Sequence, residues 1–332
     1  MEELLAGLKA VAETTRIRIL FALSHGELNV SELTFVLQQS QPRVSRHLKL
    51  MAEAGLISRH KEGNWVLFRL REQGRSGALA RALVEMLPAK DDLLAGDIAR
   101  LEEVRIQRQE RAADYFKTNA ADWASLRSLH VNEIEVEHAM LSLLGGSQFQ
   151  NCVDLGTGTG RILELLNDRA EHLFGLDMSR EMLAIARANL ETHKLRNAQV
   201  RQADIYALPF ADGFADLVTI HQVLHFLDDP QRALMEAVRI LAPQAKILIV
   251  DFAPHDFEEL RDQHAHRRLG ISSEHMTSWL ARAGLNLIKH DVLPPPYVNA
   301  RMGLTVSLWL AENNNVPHIG GHSKLNVGIE QL

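Results

Sequence analysis

The spacing of apolar residues divides the chain into two regions. Up to about residue 87, apolar positions such as Leu8, Val11 and Ile19 recur at three- and four-residue intervals, which is typical of short packed helices. After about residue 112, short β-rich runs alternate with helical segments. These runs are residues 151–155, 172–176, 198–203, 215–220, 246–251, 286–293 and 305–310. The alternation predicts an α/β domain with a parallel sheet and crossover helices.

A chain of 332 residues has the length of two domains. We predict a first domain at residues 1–88, which ends at Pro88, and a second domain at residues 113–311. Residues 89–112 are charged and carry apolar positions at helical spacing, so they predict a helical connector. Residues 312–332 show no periodicity and predict a flexible tail.

Composition narrows the class of protein. Hydrophobic residues make up 46% of the chain, yet no apolar run approaches the roughly 18 residues of a membrane span. Glu2 and Glu3 stand where a secretory signal would be basic, and Cys152 is the only cysteine. We therefore expect a cytoplasmic protein without disulfides, thiolate metal clusters or membrane segments. The net charge of −6 opposes binding of the whole molecule to nucleic acid, but residues 42–75 are locally basic.

That basic stretch contains a two-faced helix. Ser40 can cap it, and Pro42 is tolerated in a first turn because no amide donor is needed there. Val44, Leu48 and Met51 fall on one face, whereas the opposite face is polar and basic. Such a helix, preceded by another at residues 30–38, predicts a helix-turn-helix whose second helix reads DNA. Runs at residues 56–60 and 65–70, joined by a polar turn at 61–64, predict a wing.

Three segments of this domain resemble the ArsR family of winged-helix repressors. They are residues 12–20 (AETTRIRIL), 41–48 (QPRVSRHL) and 54–57 (AGLI). The resemblance implies a homodimer that binds a palindromic double-stranded DNA operator, and it places DNA contacts on Gln41, Arg43, Ser45, Arg46 and His47. Lys49 on the same helix and Lys61 in the wing complete the predicted interface. Many metal-sensing members carry cysteines where this chain has Asn29 and Ser31, so we predict no metal site and a different effector.

A glycine-rich loop follows the first strand of the second domain. It reads Gly156-Thr157-Gly158-Thr159-Gly160, and its third glycine comes one residue earlier than in dinucleotide-binding loops. Asp154, just before the loop, suits an amino-bearing ligand better than a diphosphate. Asp177 ends the next strand and can accept hydrogen bonds from ribose hydroxyls. Asp204, followed by Ile205, offers an acceptor for an exocyclic amine beside an apolar surface.

These motifs, in this order, look like those of class I S-adenosylmethionine methyltransferases. The matching segments are residues 154–160, 175–179, 202–205 and 214–218. The resemblance implies a Rossmann-like, seven-stranded domain with an antiparallel last strand, and S-adenosylmethionine or S-adenosylhomocysteine as the cofactor. The cofactor-binding residues predicted in this way are Asp154, Gly156, Thr157, Gly158, Gly160, Asp177, Met178, Asp204, Ile205 and His221.

Catalytic groups are less visible, because methyl transfer depends first on positioning. His221 and His225 follow the fourth strand, where the family places groups that face the substrate, and they are the candidate catalytic residues. Tyr115, Trp123 and His130 are candidates for capping the pocket. Clustered histidines between residues 255 and 275 match no strong zinc pattern.

Two functions fit this combination. The chain is a transcriptional regulator whose second domain either methylates a small molecule or senses the cofactor; alternatively, it is primarily an enzyme whose winged helix serves dimerisation or localisation. Arsenic methylation is disfavoured because its usual enzymes hold arsenic with several cysteines, and DNA-base methylation because no base-binding motif appears. A nicotinamide-dependent enzyme is disfavoured by the glycine spacing.

Overall fold

The structure is a computed structural model. It describes residues 2–62, 65–71, 74–88, 90–120, 132–295, 297–298 and 301–314. The predictions made for Gly63 and Asn64 of the turn, for Trp123 and His130, and for residues 315–332 of the tail lie outside these ranges.

The N-terminal domain is a winged helix-turn-helix. Its elements are α1 (Glu2–Val11), α2 (Thr14–Ser24), β1 (Leu28–Asn29), α3 (Val30–Leu37), α4 (Gln41–Glu53), β2 (Ile57–Glu62), β3 (Trp65–Leu70) and α5 (Gly74–Glu85). The strands form an antiparallel sheet in the order β1-β3-β2. The helices bury one apolar core beside this sheet, which includes Ile19, Leu33 and Leu48.

Local signals fix the ends of α3 and the start of α4. The Asn29 side chain accepts the Glu32 N–H, and the Glu32 carboxylate accepts the Asn29 N–H, so a complete capping box begins α3. Gln38 ends α3 in the left-handed conformation, with φ 53°. Ser40 is the N-cap of α4 as predicted, but its side chain makes no capping hydrogen bond.

A single helix, α6 (Asp92–Asn119), leaves the first domain and enters the second. Its 28 residues span about 42 Å, and it continues beyond residue 112, where the predicted connector ends. Leu101 and Val104 of α6 are buried in the core of the first domain. Among the helices of the described ranges, α6 included, none combines the length and apolar character of a membrane span.

The C-terminal domain is a Rossmann-like seven-stranded sheet with helices on both faces. Its helices are α7 (Glu133–Leu144), α8 (Arg161–Leu165), α9 (Arg180–Thr192), α10 (Pro230–Ile240), α11 (Glu258–Gln263) and α12 (Ser273–Arg282). Its strands are β4 (Phe149–Leu155), β5 (Ala170–Asp177), β6 (Ala198–Gln202), β7 (Ala215–His221), β8 (Leu241–Phe252), β9 (Leu285–Leu293) and β12 (Val306–Asn313). A short separate pair, β10 (Tyr297–Val298) and β11 (Arg301–Met302), precedes β12.

Strand order places the predicted ligand residues at one edge. The sheet runs β6-β5-β4-β7-β8-β12-β9, and β12 is antiparallel to both of its neighbours. The expected antiparallel last strand is therefore confirmed. The parallel strands β4, β5 and β7 end beside each other, so Gly156, Asp177 and His221 meet at their carboxyl ends. In open α/β sheets this edge is where ligands bind.

A buried carboxylate attaches α6 to the first domain. Asp97 is completely buried and accepts hydrogen bonds from Arg18 Nε at 2.7 Å and from Arg100 Nη2 at 2.6 Å. The hydrogen bond to Asp97 raises the pKa of the Arg18 guanidinium above its usual value. The two arginines in turn donate to the carbonyls of Leu37 and Val36 at the end of α3.

We therefore predict that Asp97→Ala lowers the free energy of unfolding by about 3 to 5 kcal/mol, because it leaves buried guanidinium charge without its partner. Chemical denaturation of the full chain measures this loss. Glu102→Ala is the control on the same helix, since Glu102 is exposed and forms an ion pair with Arg105 on the surface of α6; we expect a change below about 1 kcal/mol. Equal stability of the two variants would contradict the assigned role of Asp97.

Candidate functional site

A cavity of about 860 Å³ opens at the carboxyl ends of β4, β5 and β7. The glycine loop forms its floor, and residues after β5, β6 and β7 form its sides. The C-terminal half of α6 and residues 261–263 and 265–267 complete the wall. A volume of this size accommodates a cofactor-sized molecule.

Glycines allow the loop to approach both the sheet and the cavity. The N–H groups of Gly156 and Thr157 both donate to the Leu176 carbonyl, at 2.8 and 2.9 Å, which fixes the loop to β5. Gly156 has φ +72°, and a Cβ there would lie 2.4 Å from Val223 Cγ2. Gly160 has φ +86° and begins α8 close to Ala186 of α9. Glycine is therefore required at 156 by both conformation and space.

Asp177 ends β5 with its carboxylate held by the backbone. One oxygen accepts the Gly158 N–H at 2.9 Å, and the other accepts the Ser179 N–H at 2.8 Å. Burial raises the pKa of this carboxyl above its usual value, although the two N–H donors oppose the shift. Asp177 lines the cavity, and each oxygen retains capacity to accept a further bond from a hydroxyl.

The neighbouring strand end supplies a second acid and an apolar surface. Asp204 is exposed, lines the cavity and accepts the Tyr206 N–H at 2.9 Å. Ile205 and Met178 also line the cavity, and the Met178 side chain is 60% exposed. Two carboxylate acceptors and two apolar side chains in one cavity wall match the donors and the flat faces of a nucleoside, so the residues present fit the cofactor that the motifs imply.

Two predicted cofactor residues lie behind the loop instead of in the cavity wall. Asp154 is 1% exposed, and its Oδ1 accepts the Thr219 hydroxyl at 2.6 Å. Gly160 packs against α9, whereas Thr157 and Gly158 do line the cavity. In this structure Asp154 and Gly160 therefore support the glycine loop from behind and do not line the cavity.

The two candidate catalytic histidines have different environments. His221 is buried at the end of β7 and lines the cavity, together with the adjacent Gln222. His225 is 1% exposed and absent from the cavity lining, and its Nδ1 lies 2.7 Å from Asp251 Oδ1. The His225 carbonyl also accepts the N–H groups of Arg267 and Arg268. His225 therefore helps to hold the 265–268 segment in place. Of the two histidines, only His221 borders the cavity.

Sequence reasoning named Tyr115 as a candidate for capping the pocket, and Tyr115 lines the cavity, but it missed the aromatic residues beside it. Phe116 packs edge-to-face on Phe226, with the ring centroids 4.8 Å apart, and both side chains line the cavity. The Tyr115 hydroxyl lies 2.8 Å from His264 Nδ1, and burial raises the pKa of Tyr115 to about 12. Across the described ranges, the 255–275 histidines included, no three His, Cys, Asp or Glu residues are grouped to hold a metal ion.

The predicted DNA interface lies on the outward face of α4. Gln41, Arg43, Ser45, Arg46 and Lys49 are exposed, whereas the apolar face of α4 is buried. His47 is half-buried, and burial lowers its pKa below the usual value. Glu13, the N-cap of α2, lies 3.4 Å from Arg43 and 3.9 Å from His47. Lys61 lies in β2, whose backbone pairs with β3.

Comparison with known proteins divides the chain in the same way. The family model described as "Bacterial regulatory protein, arsR family" matches residues 13–59. The model described as "Methyltransferase domain" matches residues 153–249.

Individual relatives also match one part of the chain each. Arsenic resistance transcriptional regulator ArsR1 of Pseudomonas putida is 35% identical over 108 residues, which cover 32% of this chain and 82% of that protein. Demethylmenaquinone methyltransferase of Thermus thermophilus is 41% identical over 106 residues, which cover 31% of this chain and 47% of that protein. The chain thus spans less than half the length of this methyltransferase.

A solved structure shows the fold of the second part. A chain of the Haloferax volcanii complex that contains the Trm112 methyltransferase activator superposes with a TM-score of 0.53 at 23% identity. The match covers 64% of this chain and 100% of the other.

We predict that Gly156→Ala destabilises the second domain by about 1 to 3 kcal/mol, from the positive φ and the overlap with Val223. Urea unfolding measures the change. Gly146→Ala is the matched control, because a Cβ at Gly146 meets nothing within 4 Å. Adding Val223→Ala to Gly156→Ala is expected to recover the part of the loss due to overlap; no recovery would show that the backbone conformation alone requires glycine.

Proposed function

We propose a function from one premise: the chain belongs to the arsR family of bacterial regulatory proteins and carries a methyltransferase domain in the same polypeptide. It is a DNA-binding transcriptional regulator, and we infer that its second domain binds S-adenosylmethionine or S-adenosylhomocysteine and reports its occupancy to the DNA-binding domain. The observation that carries this inference is α6, which packs in the core of the first domain at one end and lines the cavity at the other.

We infer that the chain binds a palindromic operator as a homodimer, with one α4 in each half-site. Support for a dimer comes from α1 and α5, which pack together and leave apolar side chains uncovered. These exposed side chains are Leu4, Leu5, Leu8 and, just after α5, Met86. We also infer a cytoplasmic location, because a protein that binds the chromosome acts in the compartment that contains it, which in a bacterium is the cytoplasm.

The cofactor assignment rests on the chemistry of the cavity. In this proposal Asp177 accepts hydrogen bonds from the ribose, Asp204 accepts one from the adenine amine, and Met178 and Ile205 contact the purine. Thr157 and Gly158 also line the cavity, and we assign them to the methionine end of the cofactor. When bound, S-adenosylmethionine supplies a transferable methyl group.

A second candidate function, methylation of a small molecule, is favoured by the extent of the cavity. The wall continues beyond the nucleoside residues to Phe116, Phe226 and His266, which leaves room for an acceptor. His221 borders this space and is the candidate base for an acceptor that must lose a proton. Release of S-adenosylhomocysteine on incubation with a metabolite panel tests this function, and its loss in His221→Ala tests the residue.

We predict that Asp177→Ala weakens binding of S-adenosylhomocysteine severely, since each lost hydrogen bond to a charged acceptor is worth about 1.5 to 3 kcal/mol. Isothermal titration calorimetry measures the affinity. Because burial raises the pKa of Asp177, we also expect the wild-type affinity to fall on acidification at a higher pH than an ordinary aspartate would give. Glu171→Ala, on an exposed position of the same strand, is the control. Unchanged affinity in Asp177→Ala would remove Asp177 from the site.

The sensing function predicts that the cofactor changes operator affinity about 5- to 150-fold. A duplex selected from a random library by the full chain is titrated without ligand, with S-adenosylmethionine and with S-adenosylhomocysteine, at fixed salt because phosphate contacts depend on salt. Zinc, cadmium and arsenite are expected to leave the curves unchanged, since Asn29 and Ser31 offer no thiolate. Superimposed cofactor curves, with calorimetry showing the cavity filled, would contradict sensing and favour a DNA-tethered enzyme.

A further inference from the structure

One arginine of α6 touches the cavity and both domains. Arg108 lines the cavity, its Nε donates to Glu32 Oε1 at 2.9 Å, and its Nη1 donates to Asp228 Oδ1 at 3.1 Å. Glu32 belongs to α3 of the N-terminal DNA-binding domain, which we call the DNA reader. Asp228 follows β7 and itself lines the cavity. The three side chains are 15% to 16% exposed, so water screens their interaction only in part.

The carboxylate that Arg108 holds also begins α3. Glu32 Oε2 accepts the Asn29 N–H at 2.8 Å, while Oε1 accepts from Arg108. A movement of Arg108 therefore acts on the capping box of α3 directly.

The far end of α3 is held by the same helix α6. Arg100 Nε donates to the Val36 carbonyl at 2.5 Å, and Asp97 positions Arg18 to donate to the Leu37 carbonyl at 3.0 Å. Since α3 packs on α4, its position sets the position of the proposed recognition helix. Thus α6 holds α3 at both ends, and only the Arg108 end borders the cavity.

On the cavity side the positive charges are closely spaced. Asp228 is shared between Arg108 and Arg267, whose Nε lies 2.5 Å from the same Oδ1. Burial, together with the neighbouring Arg108 charge, lowers the pKa of Arg267 to about 10. Arg108, Asp228 and Arg267 all line the cavity, so a ligand that enters it changes their solvation and their pairing.

We propose that the Arg108–Glu32 ion pair transmits cavity occupancy to the DNA reader, by setting how firmly Glu32 holds the start of α3. This inference rests on the sensing function proposed above and names its route. A second ionic contact between the domains, Glu27 with Arg268, is longer, at 3.6 Å, and includes no capping bond. Arg69 of β3 also lies 2.7 Å from His275 Nε2 in the second domain, but neither residue lines the cavity.

The decisive variant is Glu32→Gln in the full chain. Glutamine at this position keeps the capping box but removes the charge that Arg108 binds. We measure operator affinity with and without S-adenosylhomocysteine on the selected duplex, and the ratio is the coupling factor. Glu102→Gln, on the exposed face of α6, is the matched control.

We expect coupling of about 5- to 150-fold in the wild type and in Glu102→Gln, and a factor within about twofold of unity in Glu32→Gln. Arg108→Gln approaches the same contact from the other side, and S-adenosylhomocysteine is added at a concentration that saturates each variant, so a changed cofactor affinity does not bias the coupling ratio. If the pair acts as a unit, the double variant loses no more coupling than either single variant.

The outcomes separate the two proposals. Coupling in the wild type that persists in both Glu32→Gln and Arg108→Gln would overturn this route and leave sensing intact. No coupling in the wild type would overturn sensing itself, and this inference with it. If Glu32→Gln fails to fold, Arg108→Gln alone decides.

Discussion

The attachment of α6 through Asp97 is the interaction on which the arrangement of the two domains depends. A fully buried carboxylate is stable only when its charge is paired and hydrogen-bonded, and here Arg18 and Arg100 provide both. Because those arginines also bind the last carbonyls of α3, the first turns of α6 cannot separate from the helix-turn-helix without exposing several polar groups. An α-helix bends only at the expense of its own hydrogen bonds, so the cavity end of α6 is positioned relative to the DNA reader over its full 28 residues.

The regular elements and the order of the motifs were predictable because each is encoded locally. The two-faced pattern of α4 predicts its buried residues, and the alternation of strands and helices predicts the sheet, since both depend on residues near in sequence. The glycine loop could also be predicted from the sequence, because the positive φ angles at Gly156 and Gly160 favour glycine. The prediction of strand ends was less accurate. Strand β8 begins at Leu241 instead of residue 246, because pairing with neighbouring strands outweighs local propensity.

Other features depend on contacts between distant residues and left no local signal. The sequence predicted a helical connector at residues 89–112 and a capping role for Tyr115, but not that one helix contains both or that Phe116 joins the wall of the cavity. His221 and His225 look equivalent in sequence, yet a 3₁₀ turn places His225 against Asp251 and away from the cavity. Asp154 appeared to be a ligand residue, whereas Thr219 on the adjacent strand binds its Oδ1 beneath the loop. The positions 29 and 31 were read only as missing cysteines, although Asn29 contributes the cap of α3.

The strengths of the two contacts between α6 and α3 assign them different roles. Breaking the Asp97 cluster costs about 3 to 5 kcal/mol, which exceeds the 1 to 3 kcal/mol, roughly, that couples two ligand sites in a typical allosteric protein. In the proposed sensing function, that cluster therefore stays formed in any state that the cofactor selects, and it serves as the fixed point of the movement. A partly exposed, charge-assisted contact such as Arg108–Glu32 is worth about 1.5 to 3 kcal/mol, which lies within the range that ligand binding can supply. In the proposed route, rearrangement at the Arg108 end about a fixed Asp97 end tilts α3, and a small tilt is enough because the proposed dimer must place two recognition helices about 34 Å apart.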